Sequence, residues 1–585
     1  MSDQSHYREL GIAELCGSAI LFLAGCAGHA ESRPSVETVP ETAAVSPLAS
    51  VALKSAADAT QFVDVAIPSG INFVLHNDEI PDRYWLPEVM GGGVAWLDYD
   101  VDGIVDLYLM NGQVVEGAPI PTHTNKLYQG LQTRAFRDVT ELSRTGDPGY
   151  GQGCAVGDFD ADGFPDMYLT NYGANVLLHN NGDGTFGDVT QAAQAGNAKW
   201  GTSAAWFDID ADGDLDLYVV NYVAMTPKNH RVCDYDGVPG YCGPGSYEGE
   251  PDCVYLSDGD GAFTEAAEEL GLVGEMGKGL AVVVLDLDED TEPEIYVAND
   301  MTPNFLFTKS GGGDGKLFRD VATEAGCAVS HVGNNEASMG VASADFDADL
   351  LPDLFLTHFY AAKNTLYRNL GGLVFQDTSQ RSRIAATSFE TLGFGTVPFD
   401  HDLDGAVDLF VANGHVLGPK KQPGPMRPQL LSNDGAARFT DVSDQAGAYF
   451  LGHYLGRGAA GADYDRDGDL DIAVTHVHAP FALLRNQHSE PHHYVGFRLL
   501  TPDRMPPVGS RVEITCGTQK AVRHVLAGGS YLSTSDSRML FGLGEHAGPV
   551  AVKVCWSSGE TSHWDDVEVD RYWTLTPHQP PRSDG

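Results

Sequence analysis

The chain is poor in positive charge: 35 Lys and Arg stand against 82 Asp and Glu, which gives a formal net charge of −47 over 585 residues. Such an acidic surface repels nucleic acid and anionic lipid headgroups, so neither is expected as a partner. Long apolar runs are also missing, and no segment is long and apolar enough to span a bilayer. The sequence has no nucleophile elbow, phosphate-binding glycine loop, haem-attachment pair or zinc-protease helix, so it offers no recognisable catalytic motif.

Cysteine is scarce, with nine residues in the chain. Cys233, Cys242 and Cys253 fall in one insertion rich in Gly, Pro and Tyr. Because no zinc-ligand spacing surrounds them, a disulfide between two of the three is preferred over a metal or reactive site. Cys516 and Cys555 could form a second bridge. The partners cannot be assigned from sequence.

Acidic residues are abundant, and many follow the pattern Asp-x-Asp-x-Asp-Gly-x-x-Asp. Five complete copies begin at Asp98, Asp158, Asp208, Asp400 and Asp463. Two weaker copies, beginning at Asp286 and Asp345, carry Thr291 and Leu350 at the glycine position. We number these segments acidic loops 1 to 7 in chain order. The predicted metal ligands, at loop positions 1, 3, 5 and 9, are Asp98, Asp100, Asp102 and Asp106; Asp158, Asp160, Asp162 and Asp166; Asp208, Asp210, Asp212 and Asp216; Asp286, Asp288, Asp290 and Glu294; Asp345, Asp347, Asp349 and Asp353; Asp400, Asp402, Asp404 and Asp408; and Asp463, Asp465, Asp467 and Asp471.

The chemistry of these loops favours calcium. Hard oxygen ligands on a flexible loop suit Ca²⁺ better than zinc or copper, and better than Mg²⁺ with its strict octahedral geometry. Two carboxylates about 4 Å apart repel by roughly 4 kcal/mol at an intermediate dielectric, and a dication removes that repulsion. Up to seven Ca²⁺ ions are expected, with the five complete loops better candidates than loops 4 and 5. Acidic turns without metal are the alternative.

The residues on either side of the acidic loops are predicted to form strands. Position 12, where a helix-loop-helix calcium site needs a Glu, holds apolar residues such as Leu109, Leu169 and Val219. A second motif, Phe-x-Asp-Val or a close variant, alternates with the loops and also occurs seven times, at Phe62, Phe136, Phe186, Phe263, Phe318, Phe375 and Phe439. Intervals of 50 to 78 residues between loops suit four-stranded blades. The sequence therefore predicts an all-β, seven-bladed propeller in which the strand at Phe62 completes the last blade.

These repeats resemble the integrin-α-like FG-GAP and VCBS repeats over most of residues 62 to 486. The C-terminal segments 508–512, 528–533, 540–544 and 554–559 resemble the ASPIC/UnbV domain, and the combination resembles the cartilage acidic protein family. The resemblance implies calcium in the acidic loops and an extracellular or envelope setting. It implies no reaction. Alternating residues in the C-terminal part independently predict a small β-sandwich.

The predicted domains follow from these patterns. Residues 1–26 form a signal peptide whose apolar run ends in Leu-Ala-Gly-Cys, similar to a bacterial lipobox that would lipidate Cys26. Its upstream region is acidic, which departs from the usual basic signal. Residues 27–60 are a disordered linker, 61–487 the propeller, 490–577 the ASPIC/UnbV-like domain and 578–585 a disordered tail. The protein is expected to be exported, as an envelope lipoprotein in the outer membrane or periplasm or as an extracellular protein.

Two functions remain open. The preferred one is a calcium-binding, non-enzymatic binding or adhesion scaffold for a glycan or an envelope or extracellular protein. The alternative is a propeller enzyme acting on polysaccharide, of lyase or dehydratase type, with its acid and base groups at the axial funnel. His476, His478 and His415 follow two of the loops, but strand-end histidines are more often held by backbone or water than by a transition metal.

Overall fold

The computed structural model describes residues 61–114, 123–259, 261–274, 276–310, 316–418, 424–487, 492–502 and 506–584. The predicted signal peptide, its Cys26 and the linker lie outside these residues. No helix among the described residues is long and apolar enough to cross a membrane. Regular structure is almost entirely β.

Seven four-stranded antiparallel sheets form the blades of a propeller. Each blade is given from its innermost to its outermost strand. Their strands are Val94–Leu97, Asp106–Leu109, Lys126–Gly130 and Phe136–Asp138 in blade 1; Gly151–Gly157, Asp166–Asn171, Val176–Asn180 and Phe186–Asp188 in blade 2; Gly201–Phe207, Asp216–Asn221, Cys253–Ser257 and Phe263–Glu265 in blade 3; Gly279–Leu285, Glu294–Asn299, Phe305–Lys309 and Phe318–Asp320 in blade 4; Val341–Ala344, Asp353–Leu356, Thr365–Asn369 and Phe375–Asp377 in blade 5; Gly393–Phe399, Asp408–Asn413, Gln429–Asn433 and Phe439–Asp441 in blade 6; and Leu455–Ala462, Asp471–Val477, Ala482–Asn486 and Phe62–Asp64 in blade 7.

The ring closes as the sequence predicts. The strand Phe62–Asp64 pairs with Ala482–Asn486, with Phe62 opposite Asn486. Each innermost strand contacts the innermost strand of the next blade, and that of blade 7 contacts that of blade 1. Small residues permit this crowding: a Cβ on Gly153 would lie 2.5 Å from the carbonyl oxygen of Thr202, and one on Gly395 would lie 2.5 Å from the backbone nitrogen of Ala459. Glycine is therefore required where inner strands meet.

The Phe-x-Asp motif has two structural roles. All seven phenylalanines are buried in the cores. The acid two residues later accepts a backbone N–H beyond the strand, as Asp138 does from Thr140 at 3.0 Å. This bond tightens the chain into a turn, which in blades 1, 3, 4 and 6 is a single helical turn. The short helices are Thr140–Ser143, Ala267–Leu270, Ala322–Ala325, Ile384–Ser388 and Ser443–Ala446, and the 3-10 turns are Leu86–Val89, Pro244–Ser246 and Tyr449–Leu451.

The C-terminal part is a β-sandwich, as predicted. One sheet has the order Met539–Gly542, Tyr494–Leu499, Tyr572–Leu575 and Arg582–Ser583, and the other has the order Gln519–His524, Arg511–Cys516, Val550–Cys555 and Thr561–Val567. Both sheets bury apolar residues in one core that includes Phe497, Val512 and Trp556. Because Arg582–Ser583 pairs with Trp573 and Thr574, the expectation of a disordered tail from residue 578 does not hold for this strand.

One segment of the sandwich enters the propeller along its axis. Residues 527–538, which we call the axial segment, begin with the short strand Ala527–Gly528, which pairs with the innermost strand of blade 4. The segment makes at least one hydrogen bond with the innermost strand of every blade. These bonds are Thr534 N to Val94 O, Thr534 Oγ1 to Cys154 O, Leu532 N to Ser203 Oγ, Gly529 N to Val282 O, Ser530 N to Val341 O, Thr396 N to Ser530 Oγ, and Ser530 Oγ to Ala459 O.

The cysteines match the prediction in part. Cys233 and Cys242 form a disulfide across the hairpin Val232–Tyr235 and Val238–Tyr241, while Cys253 is a buried free thiol. Cys516 and Cys555 are both free, so the suggested second bridge is wrong. The strand register explains this. Cys555 lies opposite Arg511, whereas Cys516 lies beyond Thr515 at the other end of the same pair of strands.

Candidate metal centres

All seven acidic loops join the first and second strands of their blades and share one hydrogen-bonding scheme. The position-1 carboxylate accepts the backbone N–H of position 6, for example Asp208 Oδ2 from Gly213 at 3.1 Å. The same bond occurs in the other loops between Asp98 and Gly103, Asp158 and Gly163, Asp286 and Thr291, Asp345 and Leu350, Asp400 and Gly405, and Asp463 and Gly468. The loops are therefore seven copies of one turn.

The acid at position 9 links the loop to its blade. In loop 3, Asp216 Oδ2 accepts the N–H of Ile209 at 2.7 Å, and its Oδ1 accepts the N–H of Ser257 on the third strand at 2.7 Å. The acid at position 5 shapes the turn itself, since Asp212 Oδ1 accepts the N–H of Asp214 at 3.0 Å. The acids at positions 1, 5 and 9 of a loop thus have separate structural duties, which explains their fixed spacing.

Positions 1, 3 and 9 converge in the first three loops. One carboxylate oxygen from each acid lies within 4.8 Å of the others in the sets Asp98, Asp100 and Asp106, Asp158, Asp160 and Asp166, and Asp208, Asp210 and Asp216. Some carboxylate oxygens at positions 1 and 3 of the acidic loops have no hydrogen-bond donor. Buried orphan atoms of this kind are Oδ1 of Asp98, Asp100, Asp288, Asp347 and Asp465. Buried carboxylate oxygens without donors fit a hard dication, so these residues suit Ca²⁺.

The electrostatics of the loops agrees with this fit. Burial, reinforced by the neighbouring acids, raises the pKa of Asp98 to about 6 and that of Asp106 to about 9. In loop 2, burial is again the largest cause and raises the pKa of Asp166 to about 8. Without a cation, the fold therefore opposes ionisation of its own acids. A bound dication would reverse this preference.

The two degenerate loops keep the geometry at a backbone cost. Thr291 and Leu350 occupy the glycine position with φ of 76° and 74°. A side chain in this left-handed region costs roughly 1 kcal/mol. The scheme of hydrogen bonds nevertheless survives in both loops, so the loss of glycine alone does not disqualify them.

In loop 5 one guanidinium pairs with two acids of the loop, whereas in loop 7 Arg134 pairs with one acid, Asp465. Arg368, on the third strand of blade 5, donates to Asp349 Oδ2 at 2.8 Å and also pairs with Asp347. The equivalent third-strand position of loop 2 holds His179, which lies 2.8 Å from Asp160. Arg368 carries a permanent charge, so it offsets part of the negative charge of loop 5 without metal. The sequence reading missed Arg368, because only the strand register places it beside the loop.

The C-terminal sandwich covers part of the loop face. Tyr572 donates to Asp463 Oδ2 in loop 7 at 2.8 Å, and His492 Nδ1 lies 2.6 Å from the carbonyl oxygen of Asp402 in loop 6. Arg511 forms an ion pair with Glu289 in loop 4. Asp463 is 3% exposed, whereas Asp208 in loop 3 is only half-buried. The loops therefore divide into covered and open ones.

The histidines near the loops have ordinary partners. His476 is buried, with Nε2 2.7 Å from the Tyr449 hydroxyl and Nδ1 2.7 Å from the carbonyl oxygen of Pro480. His478 pairs with Glu79 at 2.5 Å. Both ring nitrogens of His476 are occupied, which favours the structural interpretation over a transition-metal site.

Comparisons with known proteins define the class. A model of FG-GAP-like repeats matches residues 98–169 and 158–219, and a model of the ASPIC and UnbV domain matches residues 502–582. Residues 98–219 thus match FG-GAP-like repeats and residues 502–582 match the ASPIC/UnbV domain, which confirms the resemblance noted from the sequence.

The curated relatives are more specific. Cartilage acidic protein 1 of Xenopus tropicalis is 26% identical over 325 residues, which is 52% of this chain and 45% of that protein. Cartilage acidic protein 1 of Mus musculus is 25% identical over 322 residues, 54% of this chain and 47% of the relative. The match spans about half the length of these relatives.

Solved structures give weaker likenesses. An Agrocybe aegerita lectin described as recognising non-reducing terminal N-acetylglucosamine aligns with a TM-score of 0.33 at 14% identity, covering 65% of this chain and 88% of the lectin. An exotype rhamnogalacturonan lyase aligns with a TM-score of 0.28 at 12% identity, covering 68% and 90%. Both scores are low, and these likenesses bear on neither the fold nor the function of this chain.

Proposed function

We propose that this chain is an exported, calcium-loaded propeller that acts as a non-enzymatic binding or adhesion scaffold for a glycan or an extracellular or envelope protein. The observation that carries the proposal is the sevenfold repetition of one acidic turn with converging carboxylates and donor-free oxygens. A stable ring with loops at both ends is a suitable frame for recognition.

The proposed Ca²⁺ ligands are the acids at positions 1, 3, 5 and 9 of the acidic loops. Bound calcium would supply positive charge that cancels their mutual repulsion. The hydrogen bonds at positions 1 and 9 hold these acids in place before the ion arrives. Loops 1, 2, 3, 6 and 7 have the full sequence and are the proposed main sites. Loop 4 is a weaker one, and loop 5 is the weakest because Arg368 already pairs with two of its acids.

Export is proposed on two features. The apolar run before Cys26 resembles a lipobox, and the Cys233–Cys242 disulfide suits an oxidising compartment. Replacement of Cys26 by Ser is expected to abolish acyl labelling of the protein expressed in a bacterial host. Absence of label on the unaltered chain would remove the anchor while leaving the calcium proposal intact.

The proposed class of partner follows from the negative charge of the chain. The net charge of −47 disfavours nucleic acid and anionic membranes. A glycan array and an extracellular-protein array, each probed in calcium and again after chelation, test the scaffold. We expect calcium-dependent binding in at least one array. Turnover of a polysaccharide, seen as unsaturated or shortened products, would instead support the lyase or dehydratase alternative.

The cavity at the end of the propeller axis opposite the acidic loops gives the enzyme alternative no support. That alternative needs basic and acidic side chains converging in a pocket outside the loops. The cavity at the other end of the axis has two carboxylates, Asp300 and Glu336, but no His, Lys or Arg among the described residues that line it. The scaffold is therefore the function that the geometry supports best.

A further inference from the structure

A cavity of about 380 Å³ lies at the end of the propeller axis opposite the acidic loops. Its lining comes from residues that precede or begin innermost strands, such as Met339 and Phe394, and from residues that follow second strands, such as Tyr222 and Asp300. The acidic loops join the other ends of the same strands. The cavity is therefore separate from the proposed calcium sites and from the face that the C-terminal sandwich covers.

The walls of the cavity are apolar, aromatic and fixed in place. The Tyr241 hydroxyl donates to Glu88 at 2.7 Å, and Tyr241 belongs to the hairpin closed by the Cys233–Cys242 disulfide. The ring of Phe394 packs edge-on against Tyr531 of the axial segment, with centroids 4.8 Å apart. Such walls are preformed for a ligand, since they need no rearrangement to present their aromatic faces.

Negative charge is confined to one side of the cavity. Asp300 and Glu336 are the acidic residues in its lining, and no cationic side chain lines it among the described residues. Asp300 is 8% exposed and accepts a hydrogen bond from the Tyr222 hydroxyl at 2.6 Å. Two cations lie nearby: Lys278 donates to the carbonyl oxygen of Pro244 at 2.8 Å, and buried Arg457 donates to the carbonyl oxygen of Val89 at 2.7 Å and lies over the ring of Phe394. Burial raises the pKa of Asp300 to about 6, although Lys278 and the Tyr222 hydroxyl act in the opposite direction.

We propose that this cavity binds a small apolar amine, with an aromatic or branched aliphatic body between the aromatic walls and an ammonium group at Asp300 and Glu336. Tyrosine faces attract a cation as well as apolar groups, so the tyrosine walls and the acids favour the same ligand. The volume lies within the usual range for small-molecule sites. The proposal concerns a face that does not hold the calcium loops and adds to the scaffold function.

Isothermal titration calorimetry of the calcium-loaded full chain tests the proposal with three matched probes. They are 2-phenylethylamine, its neutral counterpart 2-phenylethanol and the anionic 3-phenylpropionate. We expect saturable binding of the amine, weaker binding of the alcohol and no binding of the anion. Equal binding of all three would overturn the role of the acids, and no saturable binding of the amine would overturn the site.

Variants locate the binding. Ala362→Trp, at a partly exposed lining residue, should fill the cavity and abolish amine binding. Asp300→Asn should weaken amine binding about tenfold while leaving the alcohol unaffected, because one charge-assisted hydrogen bond is lost. Glu336→Gln serves the same purpose if Asp300→Asn fails to fold. Asp434→Asn, in an exposed turn of blade 6, is the matched control. Unchanged amine binding in the Ala362 and acid variants would contradict the assignment, whatever the calcium content of the sample.

Discussion

At the scale of residues, asparagines at the ends of third strands form hydrogen bonds between neighbouring blades. Asn433 in blade 6 is buried and donates to the carbonyl oxygen of Phe346 in loop 5 at 2.8 Å and to that of Val407 at 3.0 Å. Asn180, Asn369 and Asn486 make the equivalent bond to loops 1, 4 and 6. These bonds tie the positions of acidic loops 1, 4, 5 and 6 to the next blade in the ring.

Removing one of these amides tests the contribution of the interblade hydrogen bonds to stability. Asn433→Ala is expected to lower the free energy of unfolding by about 2 kcal/mol, because buried carbonyl groups lose their donors. Urea unfolding in saturating calcium measures this change in the free energy of unfolding. Ser432→Ala, on the same strand with its side chain on the other face, is the control and should have little effect. Equal effects of the two changes would refute the interblade role of Asn433.

A buried acid away from the loops gives a pH prediction. Burial raises the pKa of Asp252 to about 7, although its carboxylate accepts bonds from the Tyr218 hydroxyl at 2.8 Å and the Asn221 N–H at 2.9 Å. A raised pKa in the folded state means that stability falls as pH rises from about 4 through about 7. Asp252→Asn removes this titration, so the melting temperature of the variant minus that of the unaltered protein should be higher at pH 8.5 than at pH 5. If the difference in melting temperature did not change with pH, the predicted titration of Asp252 would be contradicted.

Sequence reasoning worked at this scale where a residue acts within its own turn. The acids of each loop and the glycine at position 6 could be predicted because the hydrogen bonds that shape the turn join residues less than nine positions apart. Arg368 and Asn433 could not, because their partners lie on other strands whose register the sequence does not give. For the same reason the pairing of Cys516 with Cys555 was wrong.

At the scale of elements, acidic loops 3 and 5 should differ in metal binding. Asp210→Asn in loop 3 is expected to remove one Ca²⁺ ion per chain, because position 3 loses its charge. Asp347→Asn, the same change in loop 5, is expected to remove none, because Arg368 already pairs with that acid. Calcium content by elemental analysis, with circular dichroism as a check on folding, compares the variants. Loss of one ion from the Asp347 variant would show that loop 5 binds calcium after all.

The strands and the blade count could be predicted from two alternating motifs, and so could the closing strand at Phe62. The position of the axial segment could not be predicted from the sequence. Its sequence, Gly528-Gly529-Ser530-Tyr531-Leu532, shows no strand alternation, and its partners are backbone groups of seven different strands. Short-range patterns carry no information about contacts of that kind.

At the scale of the whole molecule, the axial segment makes propeller and sandwich one cooperative unit. Its hydrogen bonds reach all seven innermost strands, and Tyr531 is buried in the core at the far end of the axis. We expect a single calorimetric transition for the full chain in calcium. Ser530→Ala, which breaks the bonds to Thr396 and Ala459, should lower its midpoint, whereas Ser537→Ala should not. Separate melting of the sandwich before the propeller would contradict this coupling.

The central claim is that repeated acidic turns are held together by calcium, and its most direct test is the metal content of the purified chain combined with its thermal stability. The sequence has five complete loops, and loop 4 is a weaker sixth. We therefore predict five or six Ca²⁺ ions per chain and a marked fall in melting temperature after chelation that is restored by calcium. A chain that takes up no calcium from a millimolar solution, and melts at the same temperature with and without chelator, would contradict the account.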